Sequence, residues 1–149
     1  MSTYSFQDVV ATLVGTGASI NIGAGSANSE EGITIAHAGE DNRMTIGADG
    51  EGMHSLRADR SGQVTVRLLK TSPVNAALMA LRNAQKAGGA VAGWGLNTIT
   101  LVNIGSSDNW TCERCAFKKV PDGRYAAEGD VLEWTFDAVK IFPTLGVYL

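Results

Sequence analysis

One amphipathic helix stands in a chain whose remaining patterning is β, and that combination limits the available folds more than any other feature. Gly62-Gln63-Val64-Thr65-Val66-Arg67-Leu68 alternates, putting Val64, Val66 and Leu68 on one strand face and Thr65 and Arg67 on the other. Ser72 then offers an N-cap oxygen, and Pro73 sits where a helix tolerates a missing N–H. Val74, Ala77, Leu78, Leu81 and Ala84 recur at helical spacing until Gly88-Gly89 stops the run. A helix is therefore expected over about residues 73–87. A sheet with so little helix to cover it must close on itself or on a second sheet. The expected fold is mainly β, an antiparallel β-sandwich or barrel with one packed helix.

The strands around this block follow from alternation and turn chemistry. Tyr4–Val14 reads as a first strand, Ser19–Gly23 as a short second one, and Ile33–Ala36 as a third. Met44–Ile46 and Met53–Leu56 flank Gly47–Gly52, where Asp49-Gly50 signals a hairpin. A second turn, Asp59–Gly62, predicts a three-stranded meander over residues 44–70. Ala87–Asn97 is a glycine-rich link anchored by Trp94. Thr98–Ile104 and Trp110–Lys118 flank a turn, and Val120–Gly129 is a polar loop. Leu132, Trp134, Phe136 and Ala138 alternate with Glu133, Thr135 and Asp137, which defines a half-buried strand. No internal repeat or composition break divides the 149 residues, so residues 1–149 are expected to form one domain.

Charge excludes some functions. The formal net charge is −3, and Lys118-Lys119 is the one adjacent basic pair, a poor basis for neutralising a phosphate backbone. The N-terminal residues lack a basic segment followed by an apolar core, so no secretory leader is expected. The most apolar window, Ala87–Leu96, is short and broken by glycines, so membrane insertion is not expected either.

Candidate chemistry is sparse. Gly15-Thr16-Gly17 lacks the third glycine and the following helix of a dinucleotide site, and Gly47–Gly52 leads into a strand. Cys112 and Cys115 form the sole C-x-x-C, with only His37 and His54 to complete a zinc site and no paired spacing between them. On a regular strand an i, i+3 pair points to opposite faces, so these thiols meet only across a bulge. Free structural thiols, a cross-subunit disulfide and a metal site remain open at this point. No nucleophile elbow accompanies the histidines. Glu40, Asp41, Asp49 and Glu51 lack the ligand spacing of a calcium loop and read as solvated charge. Neither catalytic residues nor a cofactor or metal are expected.

The ordered run Met44-Thr45-Ile46-Gly47-Ala48-Asp49-Gly50-Glu51-Gly52, followed by Ser61-Gly62-Gln63-Val64-Thr65-Val66-Arg67-Leu68-Leu69-Lys70-Thr71-Ser72-Pro73-Val74-Asn75, resembles the tail tube proteins of contractile-tailed bacteriophages. Tyr4–Val9 and Glu133–Ala138 extend the resemblance over most of the chain. That family shares its fold with the tubes of type VI secretion and of contractile bacteriocins. The resemblance implies a non-enzymatic virion component, assembled in the host bacterial cytoplasm. It implies six-fold rings of the protein stacked into a tube inside a contractile sheath. Implied partners are the sheath, the tape-measure protein, the baseplate and the tail terminator, with DNA passing through on ejection. It further implies that edge strands pair across subunits, and that acidic residues among Glu40, Asp41, Asp49, Glu51 and Asp59 face the bore. Loops Gly23–Glu31 and His37–Asn42 and the Gly47–Gly52 tip are candidates for ring stacking. In an oxidising medium Cys112 or Cys115 could bridge subunits. The alternatives are a terminator or baseplate relative of the same fold, and a small monomeric β-sandwich that binds a ligand.

Overall fold

A computed structural model describes residues 2–148. Its main element is a seven-stranded antiparallel sheet curved into a half-barrel. The strands are β1 (Val9–Gly15), β2 (Ala18–Asn21), β3 (Asn28–His37), β6 (Gly62–Leu69), β7 (Asn97–Asn103), β8 (Asp108–Lys119) and β9 (Val131–Thr144). They lie in the order β2-β1-β7-β8-β9-β6-β3. The two intervening strands, β4 (Asn42–Ile46) and β5 (Gly52–Leu56), pair only with each other. The second sheet of a sandwich is therefore replaced by a projecting hairpin. The expected meander over 44–70 does not form. Instead β6 leaves β5 and enters the main sheet between β3 and β9, where Val64, Val66 and Leu68 oppose Phe136, Trp134 and Leu132. Burial of that apolar row outweighs the proximity of β5 in sequence.

The concave face holds one core, built from alternate residues of β1, β6, β7, β8 and β9 (Ala11 and Leu13, Val64 to Leu68, Ile99, Phe117, Trp134, Phe136 and Ile141), with the partly buried Ile33 and Ile35 of β3 packed against it. Helix α1 (Val74–Gly88) lies across this face. Ser72 acts near the helix start, accepting the Val74 N–H at 3.3 Å while its hydroxyl donates to the Ser26 carbonyl at 2.5 Å. Leu78 and Leu81 are buried as the spacing predicts, but Ala77 and Ala84 are exposed and Gln85 takes the inward position instead. The helix ends where Gly89 adopts φ +61°. At the first turn Asn75 accepts a bond from the Trp134 indole N–H at 3.0 Å, and at the last turn Gln85 and Asn97 exchange two side-chain bonds of 2.7 and 3.0 Å. The helix is thus tied by polar contacts to strands on both sides of the half-barrel.

Two expected strands change length. The first begins at Val9 because Phe6–Asp8 forms a 3₁₀ turn capped by Ser5. The third is longer, since β3 runs from Asn28 to His37 with a bulge between Asn28 and Ile33, where Gly32 has φ +59°.

Candidate functional site: the assembly surfaces

Among the described residues no layer covers the convex face of the half-barrel, and its side chains follow from the same alternation that fills the core. Two threonine rows cross it. Thr12, Thr100 and Thr111 are register partners across β1, β7 and β8, and Thr34, Thr65 and Thr135 are partners across β3, β6 and β9. Thr–Thr pairs suit a solvated sheet face because the branched carbon packs on the pleat while the hydroxyl reaches water. Arg67 joins this face to its neighbours, pairing with Glu133 at 3.5 Å and donating to the Thr34 hydroxyl at 3.0 Å. Glu113 and Asp137 add acid to the face, and Arg114 and Lys118 add base. The result mixes hydroxyls and nearly balanced charge with exposed apolar side chains, since Val10 and Val14 share the face with Thr12 and Val102 lies opposite Val10.

Both margins of the sheet are open. β2 has four residues and β3 has ten, and each is bonded to the main sheet along one side only. An unpaired strand edge is a template for another chain.

The hairpin β4–β5 is the second distinctive surface. Every residue from Ala36 to Arg60 is exposed. Its apolar side chains include Met44 at 59%, Met53 at 59% and Leu56 at 89% exposure. The tip is closed by the Gly47 N–H donating to the Glu51 carbonyl at 2.7 Å, with Gly50 at φ +90° as the Asp-Gly signal predicts. All five acids singled out in the sequence, Glu40, Asp41, Asp49, Glu51 and Asp59, lie on this arm or its stems, and none is on the convex face. They outnumber the three arginines there, Arg43, Arg57 and Arg60. Asp59 is anchored by the Ser61 hydroxyl and N–H, which hold its carboxyl below the usual range. The His37–Asn42 segment is the arm's first stem. Gly23–Glu31 is partly buried, with Gly23, Ser26 and Ser29 enclosed.

A bulge does bring Cys112 and Cys115 to one face. β8 carries one more residue than β7 between them, and Arg114 takes φ +54° to absorb it. Both thiols are free and fully buried, and Cys115 donates to the Cys112 carbonyl at 3.3 Å. Burial pushes the Cys112 thiol up to about 11 and the Cys115 thiol, which also feels Cys112, up to about 12. Of the sequence-based alternatives, this environment suits core thiols. Among the described residues no group of three or more His, Cys, Asp or Glu is placed to hold a metal ion. Nor is any helix there long and apolar enough to cross a membrane.

Sequence reasoning did not single out the inward Gln85–Asn97 pair or the threonine rows. The pair carries no periodic signal, since a polar residue on an apolar helix face reads as a break. The rows were latent in the alternation but needed the strand order to become rows.

Known proteins are similar to this chain at two levels. No curated protein sequence matches it. Among solved structures, a chain in the PVC sheath/tube terminator structure of an extracellular contractile injection system is similar over 97% of this chain and 98% of its own, with TM-score 0.59 at 15% identity. The tube-terminating cap of the anti-feeding prophage is similar over 98% and 93%, with TM-score 0.58 at 8% identity. A chain of the PVC sheath–tube complex is similar over 96% and 92%, with TM-score 0.56 at 11% identity. At these identities the likeness is one of fold. The family described as bacteriophage PhiTE tail tube protein matches residues 1–146, nearly the whole chain, and the protein belongs to that family of phage structural proteins.

Proposed function

We propose that this chain is a tail tube protomer whose working unit is a ring of six copies, stacked with further rings into a hollow conduit inside a contractile sheath. The observation that carries the reading is a curved sheet with two open edges. Pairing β2 of one copy with β3 of the next closes the ring and removes both exposed edges. The threonine-rich convex face then lines the bore. Hydroxyls and balanced charge keep it wet without the dense basic surface that would hold a phosphate backbone, so DNA and the tape-measure protein slide past. On this reading Glu113, Glu133 and Asp137 are the bore acids. The acids of the arm belong to the contact between rings, where the exposed apolar side chains of β4 and β5 also find cover. Helix α1 lies on the outer wall, toward the sheath. The baseplate and the terminator bound the tube at its ends. The protein is a virion component assembled in the host cytoplasm and acts through assembly, with no catalytic step.

A terminator or baseplate role is the second reading, favoured by the fold likeness to chains in terminator and cap structures. Light scattering with negative-stain microscopy on the purified chain separates the possibilities. Long tubes of stacked rings are the expected result. Rings that never stack support the terminator reading, and a monomer at high concentration refutes both.

A further inference from the structure

The protomer carries complementary surfaces at its two ends. β6 runs from one end of the sheet to the other, and the arm leaves at its Gly62 end. The arm tip, Gly47–Glu51, contains Asp49 and Glu51 and no cation. Ile46 lies directly behind the tip and is 55% exposed, leaning over Gly52. A two-stranded hairpin of this kind is marginal in water by itself, so its order calls for a partner.

At the Leu69 end of the same strand, a groove of about 430 Å³ opens between the first turns of α1 and the loop 121–130. Met79, Leu132 and Trp134 are among its apolar lining residues. Lys70, Arg124 and Asp122 also line it, with Asp122 paired to Lys119 at 3.4 Å. The Lys70 ammonium sits 3.8 Å from the centre of the Tyr125 ring and donates to the Arg124 carbonyl. Arg124 pairs with Asp130 at 2.8 Å. The loop is thereby held as one wall of the groove.

We infer that the acidic arm tip of one protomer docks in this groove of a second copy in the adjacent ring. Asp49 and Glu51 meet Lys70 and Arg124, and Ile46 covers the apolar floor. The inference rests on the reading of the arm as the ring–ring contact and names the surface that receives it. The geometry favours a second copy as occupant because the two patches differ and lie at opposite ends. A contact between unlike patches is head-to-tail, and repeating it along one axis extends an assembly without limit. The arm's five-residue strands give it a reach of about 17 Å, enough to leave its own ring.

The test is a directed disulfide between copies. Glu51→Cys and Gly123→Cys place one thiol on the tip and one on the groove wall, where a side chain at Gly123 meets nothing within 4 Å. The native thiols are buried and do not compete. Tubes of the doubly substituted chain, oxidised and run on a non-reducing gel, are expected to give a ladder of covalent oligomers, while each single variant runs as a monomer. If that pair disturbs folding, as judged by circular dichroism, Asp49→Cys with Asp122→Cys serves in its place. Tubes that form without a ladder, or whose Gly123→Cys thiol stays open to a maleimide, overturn the groove assignment and leave it free for an acidic sheath segment. A separate chain with Asp49→Lys and Glu51→Lys tests the underlying reading. It is expected to stop at single rings. If it still makes tubes, the arm is not the ring–ring contact and both readings fall. If it stops at rings and the cysteine pair gives no ladder, only the groove is wrong.

Discussion

The Gln85–Asn97 pair offers a quantitative test of how α1 is fixed to the sheet. Gln85 is 1% exposed and Asn97 is fully buried, and each amide donates to the other's carbonyl, at 2.7 and 3.0 Å. Replacing Gln85 with Leu leaves the amide N–H and carbonyl of Asn97 buried without these partners. Each unsatisfied group costs about 1–3 kcal/mol, and the added leucine burial returns about 1–2 kcal/mol. The net expectation is a loss of about 2 kcal/mol, and Asn97→Leu is expected to behave similarly. The double variant removes both amides together, so it should lie within about 1 kcal/mol of the parent. The coupling in a double-mutant cycle is then about 3–5 kcal/mol, well above the scatter for independent sites. Urea unfolding at a concentration where the chain is monomeric measures it, with an unchanged m-value confirming that the denatured state is comparable. Additive losses within about 0.5 kcal/mol would falsify the reasoning. Gly15 approaches the pair from β1, and a methyl group there would lie 2.5 Å from the Asn97 Oδ1 and 3.2 Å from the Gln85 Nε2. Gly15→Ala is therefore expected to cost about 1–3 kcal/mol through the same contact.

Other consequences are open to simpler measurements. Cys112 and Cys115 should resist a thiol reagent at pH 8 and react fully after denaturation, because burial raises them to about 11 and about 12. Fast labelling of the native protein would place them outside the core. Gly62→Ala would put a methyl 2.2 Å from the Ala36 carbonyl oxygen, so separation of β3 from β6 at the root of the arm is expected, with a loss of about 2 kcal/mol. A fall in Tm of roughly 4–8 °C registers it, and an unchanged Tm counts against the packing described. Asp130 is held below its ordinary value of 3.8 by the Val131 N–H and, more weakly, by Arg124. Its folded pKa is the depressed one, so its support for the 121–130 loop is present above 3.8 and is lost as pH falls through the lower folded value. Protection factors in that loop, which are exchange rates corrected for the intrinsic pH dependence, should fall over that acidic interval and stay constant above it. Asp130→Asn should remove the dependence.

How much was legible in the sequence varies by element. β9 and β6 could be read directly, because Leu132 to Ala138 and Val64 to Leu68 alternate without interruption and each strand has one wet face. The hairpin tip was equally readable, since Asp-Gly supplies the positive φ that Gly50 adopts. The pairing of β6 was not. Local patterning says which face of β6 is apolar, but not that Val64 to Leu68 would find Trp134 and Phe136 some seventy residues away instead of β5 nearby. The five arm acids were recognisable as a group, yet their separation from the convex face depends on the arm leaving the sheet. Cys112 and Cys115 needed the bulge at Arg114 before their shared direction could be known.

The sequence by itself determined a mainly β chain with one helix, its start and stop, the hairpin turn, and the absence of any recognised catalytic motif, because these rest on short-range sterics and periodicity. Tertiary structure alone decided that the sheet curves into an open half-barrel, that threonines from distant strands align into rows, and that the arm and the groove lie at opposite ends of one strand. These depend on strand order, which long-range burial selects among many locally equivalent pairings. The surfaces proposed for assembly belong to this second group, since each combines residues that no local pattern connects.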